Sequence, residues 1–190
     1  STALLHTAQV LTDARALSRH GIKFTEPEID LKGLRRYKDR VIGKLTRGLA
    51  GLAKQRNVEV ICGKAAFTGS HEALVTQDDD AVRIHFSNCI IAAGSSPVRI
   101  PGLPYEDPRV MDSTGALALE DLPKRMLVIG GGIIGLEMAT VYSALGTQVS
   151  VVELADELIP EADPDLVAVL RQRMDRQLEK VMTGTRVKNV

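Results

Sequence analysis

Little in this chain of 190 residues recruits a partner by charge. Lysine plus arginine and aspartate plus glutamate number 24 each, so no bulk field draws nucleic acid or an anionic membrane towards it. Aromatic residues make up 3% of the chain and tryptophan is missing. Long apolar runs are missing too: the most apolar stretch, from Met126 to Leu136, is broken by glycines and ends at Glu137, well short of the ~20 residues a membrane span needs. The opening Ser1-Thr2-Ala3-Leu4-Leu5-His6 has no basic leader before an apolar block, which gives secretion no support and favours a cytoplasmic protein. Cysteine is scarce. Cys62 and Cys89 share no metal-ligand or C-x-x-C spacing and fall in strand-like runs, so they are expected as small buried hydrophobes in a reducing compartment. His6, His20, His71 and His85 are scattered and read as ordinary surface residues, so no metal site is expected.

What is present is concentrated between residues 124 and 153. Gly130, Gly132 and Gly135 form G-x-G-x-x-G between the apolar run Met126 to Ile129 and a helical pattern from Ile133 to about Leu145. That strand, turn and helix is the setting in which the motif binds a dinucleotide. Gly130 permits the sharp turn, Gly132 lets backbone approach a pyrophosphate, and Gly135 lets the helix pack closely on the strands, with the helix N-terminus holding the anion. A second strand, Gln148 to Val152, ends in Glu153, where the ribose hydroxyls of the ligand would lie. A carboxylate accepts hydrogen bonds from both hydroxyls and repels a 2′-phosphate. No arginine stands near to receive that phosphate, so the pattern favours NAD over NADP.

With 44% apolar residues the chain can bury a core of one or two domains. Apolar residues at Leu4, Leu5, Ala8, Leu11, Ala14 and Leu17 predict a helix over residues 2–18 that ends near Gly21. Asp30 is a plausible N-cap for a long second helix carrying Leu31, Leu34, Val41, Leu45, Leu49 and Leu52 on one side. Its opposite face (Lys32, Arg35, Arg36, Lys38, Arg40, Lys44, Arg47) is interrupted by Asp30 and Asp39 and lacks an aromatic platform, so it reads as a solvated face. Five short β runs follow: Val58–Cys62, Ala65–Thr68, Ala73–Thr76, Ala81–Phe86 and Asn88–Ala92. They suggest an antiparallel meander and a return strand. Pro97, Pro101, Pro104 and Pro108 mark an extended connection, and a domain boundary is expected between about Gly115 and Pro123. Asp163-Pro164 opens a last helix over residues 165–178. The fold class is α/β, with one βαβ unit of a doubly wound sheet near the end.

Several segments together resemble the flavin-dependent pyridine-nucleotide disulfide oxidoreductases, and within them the bacterial dihydrolipoamide dehydrogenase branch. The matching segments are Gly130 to Met138 (Gly-Gly-Gly-Ile-Ile-Gly-Leu-Glu-Met), Val141-Tyr142 with Leu145-Gly146, Val151-Val152-Glu153, Ile90 to Ser95, Gly48 to Gly51 and Ala3 to His6. The resemblance covers essentially the whole chain in order. It implies that residues 1–115 are part of an FAD domain containing the β-meander, and that residues 116–190 open a Rossmann-type NAD-binding domain. It implies that Gly94 and Ser95 lie near the flavin nucleotide and that the Ala65 backbone meets the FAD adenine. The NAD contacts would be Gly130, Gly131, Gly132, Ile133, Ile134, Gly135 and Glu153. Glu137, by type and spacing a solvated helix glutamate, would by resemblance be the carboxylate near nicotinamide and flavin. The parent enzyme would be a homodimer that oxidises lipoyl groups of 2-oxo acid dehydrogenase or related complexes with FAD and NAD.

The sequence also departs from that family. The redox disulfide, two cysteines four residues apart, would lie just upstream of Ser1, so no catalytic residue is expected in these 190 residues and the chain alone is expected to be inactive. Thr2 stands where a flavin-contacting lysine is usual, and Ser96 where a basic residue is common. Two other readings stay open. One is a related flavoprotein reductase or transhydrogenase, against whose NADP-preferring members Glu153 argues. The other is a non-catalytic NAD-binding or assembly module.

Overall fold

A computed structural model describes residues 1–189. Two compact units emerge: residues 1–41 together with those from 97 onward, and residues 42–96. The first begins with helix α1, Thr2–Ala16, whose Leu4 and Ala8 are buried. A 3-10 turn, Leu17–His20, extends it to Gly21, which ends it at φ +87°, a left-handed conformation that glycine adopts without steric cost. Helix α2, Leu31–Gln55, starts where Asp30 was expected to cap it. The Leu34 N–H donates to the Asp30 carbonyl at 2.9 Å. The Asp30 carboxylate accepts from the Gly33 N–H, which holds its pKa below the usual value. Helix α2 runs from the first unit into the second.

The rest of the first unit contains helix α3, Ser113–Ala118, and then alternates strand and helix. Strand β4 is Arg125–Ile129, α4 is Ile133–Ala144, β5 is Gln148–Val152, α5 is Pro164–Gln177 and β6 is Lys180–Met182. The three strands are parallel in the order β4-β5-β6, so each crossover carries a helix across a face of the sheet. That topology explains why α4 is apolar nearly all round: Leu136, Met138, Ala139, Val141, Tyr142 and Ala144 are all buried, because α4 packs on β5, α1, α3 and α5 at once. The core continues through Val149, Val151, Leu158 and Met174. Its one buried hydroxyl on α4 is satisfied, Tyr142 Oη donating to the Ala116 carbonyl at 3.0 Å. Arg15 of α1 donates to the Ala144 carbonyl at 2.9 Å, occupying one of the acceptors left free at the C-terminal end of α4.

The second unit holds an antiparallel meander of β1 (Lys64–Gly69), β2 (Glu72–Gln77) and β3 (Asp80–His85), joined by tight turns. Ala65 pairs with Val75, and Val75 with Val82.

Three expectations need correction. The runs Val58–Cys62 and Asn88–Ala92 form no ladder and are not strands. A strand needs a hydrogen-bonding neighbour, and among the described residues these segments have none; Val60 is 69% and Ile90 93% exposed. Cys62 and Cys89 sit in these runs and are therefore exposed rather than buried. The basic face of α2 is only partly solvated. Arg35 donates to the carbonyls of Leu119 and Glu120 at 2.8 and 2.9 Å, and Lys38 to that of Leu117 at 2.9 Å, so both cations sit on the C-terminal end of α3. Finally, α3 and β6 had no counterpart in the sequence reading. Helix α3 is signalled by Asp112, whose Oδ1 accepts from the Thr114 and Gly115 N–H groups.

Candidate functional site

The site is built where β4 hands over to α4. Gly130 sits at φ +115°, closed to residues with a side chain, and donates its N–H to the Val152 carbonyl at 2.8 Å. The chain thus stays tied to β5 while it reverses. A Cβ on Gly135 would be driven into the Gly130 carbonyl oxygen, so the absence of a side chain lets α4 start directly under the turn. Gly131 is buried, and a Cβ there would stand 2.5 Å from Leu158 Cδ2 and 3.0 Å from Glu153 Cβ.

Gly132 differs from these three. It is the N-cap of α4, extended at φ −75° and ψ 176°, with no side chain capping the helix and open space where its Cβ would project. The first N–H groups of a helix have no acceptor within it. Here no acidic residue stands in the first turn to meet them, so the partial positive charge of the helix end remains available to an outside anion. A pyrophosphate fits this donor set. Ile133 and Ile134 flank the opening, 61% and 56% exposed, and Glu137 lies half-buried one turn into α4.

Glu153 closes the other side. It follows β5 directly, and its Oε2 accepts from the Gly131 N–H at 2.6 Å while Oε1 accepts from the Ala155 N–H at 2.8 Å. Each oxygen keeps a further lone pair, and an ionised carboxylate can only accept, so its remaining capacity suits hydroxyl donors such as the two of a ribose.

Gly130, Gly131, Gly132, Ile133, Ile134, Gly135, Glu137 and Glu153 therefore come together at the ends of β4 and β5 and in the first turns of α4. Ala65, in β1, and Gly94 and Ser95, in the loop after Ala93, belong to the other compact unit and are all exposed. Gly94 has φ +71°. No role was expected for the loop after Glu153, where Leu158 is 1% exposed and the Ile159 N–H donates to the Gly131 carbonyl at 3.2 Å. The available signal was an apolar pair, Leu158-Ile159, directly before Pro160 and outside any periodic segment. Among the described residues no group of three metal-ligating side chains converges, and no helix is long and apolar enough to cross a membrane.

A glycine turn between a parallel strand and an uncapped helix, closed by a carboxylate from the neighbouring strand, defines a Rossmann-type βαβ unit. An antiparallel three-stranded meander precedes it in the chain, so the class is a two-part α/β protein. The chain belongs to the pyridine nucleotide-disulphide oxidoreductase family, whose family model matches residues 1–190. It is 50% identical over 189 residues to a dihydrolipoyl dehydrogenase of Haemophilus influenzae, covering 98% of this chain and 39% of that protein. To a dihydrolipoyl dehydrogenase of Vibrio parahaemolyticus it is 46% identical over 187 residues, with the same two coverages. Among solved structures, the HOCl-induced flavoprotein disulfide reductase RclA from Escherichia coli, as its Cu(II) complex, superposes with a TM-score of 0.77 at 26% identity, covering 99% of this chain and 39% of that one. The chain thus spans about two-fifths of the length of the curated relatives it matches.

Proposed function

We propose that this chain is the central part of a dihydrolipoyl dehydrogenase and that its glycine turn binds NAD. In that reaction a dithiol, dihydrolipoamide, becomes a disulfide while NAD⁺ becomes NADH and a proton is released, with FAD and a protein disulfide between the two. The observation that carries the NAD assignment is the Glu153 carboxylate, docked on the Gly131 N–H with lone pairs to spare for ribose hydroxyls. In this reading Gly130 to Gly135 hold the pyrophosphate, Glu153 the adenosine ribose, and Glu137 approaches nicotinamide and flavin. Ala65, Gly94 and Ser95 contribute to the FAD site. Residues 1–115 then count as part of the FAD domain and 116–190 as the opening of the NAD domain.

The family membership and the identity to dihydrolipoyl dehydrogenases support the reaction. The two exposed, unpaired cysteines fit a reducing compartment such as the cytoplasm. These 190 residues hold no pair of cysteines four apart, so the chain by itself supplies dinucleotide binding and no dithiol exchange, which needs thiolate sulfur and a base. In this reading the protein that contains it acts as a homodimer on lipoyl groups of 2-oxo acid dehydrogenase or related complexes. Calorimetric titration of the chain with NAD⁺ and with NADP⁺ tests the reading. Binding of NAD⁺ with NADP⁺ at least about tenfold weaker, a difference of about 1.4 kcal/mol, is expected; equal affinities, or none, would remove it.

A further inference from the structure

The loop between β5 and α5 holds the glycine turn more closely than a connection requires. Two successive peptide groups of the turn are pinned from it. The Gly131 N–H is held by Glu153 Oε2 at 2.6 Å, and the Gly131 carbonyl accepts from the Ile159 N–H at 3.2 Å. In a trans peptide the carbonyl and the following N–H point in opposite directions. With the Gly131 carbonyl turned towards Ile159, the Gly132 N–H is turned away from the loop, on the side left open at the N-terminus of α4.

Leu158 supplies the packing for this arrangement. It is 1% exposed, and its Cδ2 occupies the space that a side chain on Gly131 would need. Ile159 pays a conformational penalty: it stands at φ +44°, a left-handed backbone that a β-branched residue rarely adopts. Strain of this kind persists only where the surroundings over-determine it. The loop is stitched down accordingly, by Ala162 N–H to the Ile159 carbonyl at 2.9 Å, Gly184 N–H to the Ala155 carbonyl at 2.8 Å and Thr185 N–H to the Glu153 carbonyl at 2.9 Å.

We propose that Leu158 and Ile159 are positioning residues for the dinucleotide: they clasp the Gly131 peptides and thereby aim the Gly132 N–H at the pyrophosphate. The inference rests on the NAD reading of this turn. Neither side chain contacts the ligand in this scheme. They act through Gly131, so disturbing them weakens binding without removing any contact group.

The test is calorimetric titration of NAD⁺ into the chain and four variants, with thermal melts recorded alongside. Leu158→Ala is expected to weaken NAD⁺ binding at least about tenfold, because sub-ångström misplacement of a binding group is costly. Leu158→Met, of similar volume, restores affinity to within about twofold. Met174→Ala empties an equally buried position on α5; it lowers the melting temperature and leaves affinity within about twofold. Leu158→Val, a smaller truncation, gives an intermediate loss and serves if the alanine variant does not fold. Wild-type affinity in the Leu158 truncations, or an equal loss in Met174→Ala, overturns the proposal. Failure of the unmodified chain to bind NAD⁺ at all instead removes the dinucleotide reading, and the clasp with it.

Discussion

Glu153 and Gly131 meet through a 2.6 Å hydrogen bond from the glycine N–H to carboxylate Oε2, while Oε1 accepts from Ala155 at 2.8 Å. One side chain therefore shapes the turn and offers acceptors to a ligand. Glu153→Ala leaves the Gly131 N–H without its partner, at a cost of about 1–3 kcal/mol. Both the melting temperature and NAD⁺ affinity are expected to fall. Glu153→Gln keeps an acceptor for only one of the Gly131 and Ala155 N–H groups, because the amide nitrogen cannot accept, so it gives up part of that stability. It also loses the charge that disfavours a 2′-phosphate, so the NAD⁺ to NADP⁺ preference should narrow. Titration of both dinucleotides checks this, and an unchanged preference in Glu153→Gln counts against the ribose role.

Alanine substitutions at two glycines of the turn should separate folding from binding. At Gly135 the new methyl group meets the Gly130 carbonyl oxygen, a backbone atom that cannot swing aside, so Gly135→Ala is expected to destabilise by more than about 2 kcal/mol. At Gly132 the methyl group enters open space, so the melting temperature should hold while NAD⁺ affinity drops. A Gly132→Ala variant that binds normally would show that no ligand backs onto this residue.

These two glycines also mark how far the sequence alone could be read. The strand, turn, helix and strand from Arg125 to Val152 were legible because apolar periodicity and glycine punctuation agree there, and Glu153 followed from its place at the strand end. The strands expected over 58–62 and 88–92 were not formed. Their composition suits β structure, but composition does not supply a neighbour to pair with. The Leu158-Ile159 clasp was hidden for the opposite reason: its work depends on a contact with Gly131 that no local pattern encodes. The same holds for Arg35 and Lys38, which look like solvated helix charges until the carbonyls at the end of α3 are in place.

Tyr142 is a buried group whose titration can be followed. Burial, and secondarily the charge of Asp121, push its pKa above 10.0. The protonated hydroxyl is the form the fold favours, so its contribution is intact below pH 10 and is lost as pH rises through the raised value. Tyr142→Phe should cost about 1 kcal/mol near neutrality through the lost bond to the Ala116 carbonyl. It should also remove this part of the alkaline fall in stability. Urea melts at several pH values between neutrality and 11 compare the two proteins; parallel curves above pH 10 would contradict the assignment.

Asp107 offers a test at the other end of the scale. Hydrogen bonds from the Arg109 side chain and backbone lower its pKa from 3.8 to about 2. The stabilisation this gives is present above pH 3.8 and disappears as pH falls towards 2, though the pair is exposed and screened. A carbon-detected NMR titration should place the Asp107 midpoint near 2 in the unmodified chain. In Arg109→Gln it should move back towards the ordinary value; an identical midpoint in both would refute the cause.

The unpaired apolar runs predict association. Ile90 and Ile91 are 93% and 73% exposed, and extended segments with free N–H and carbonyl groups invite pairing between chains. The 190-residue chain should sediment as a concentration-dependent mixture, and Ile90→Lys with Ile91→Lys should shift it towards monomer without lowering the melting temperature. A monodisperse monomer before any substitution would contradict this.

The three tyrosines, Tyr37, Tyr105 and Tyr142, all lie in the compact unit that carries the glycine turn, and both thiols, Cys62 and Cys89, lie in the other. With no tryptophan to obscure them, tyrosine emission reports the first unit alone, and a thiol-reactive dye on the exposed cysteines reports the second. The chain therefore carries its own pair of spectroscopic addresses. Coincident denaturation curves from the two would mark one cooperative transition, and separated curves would give each half its own midpoint.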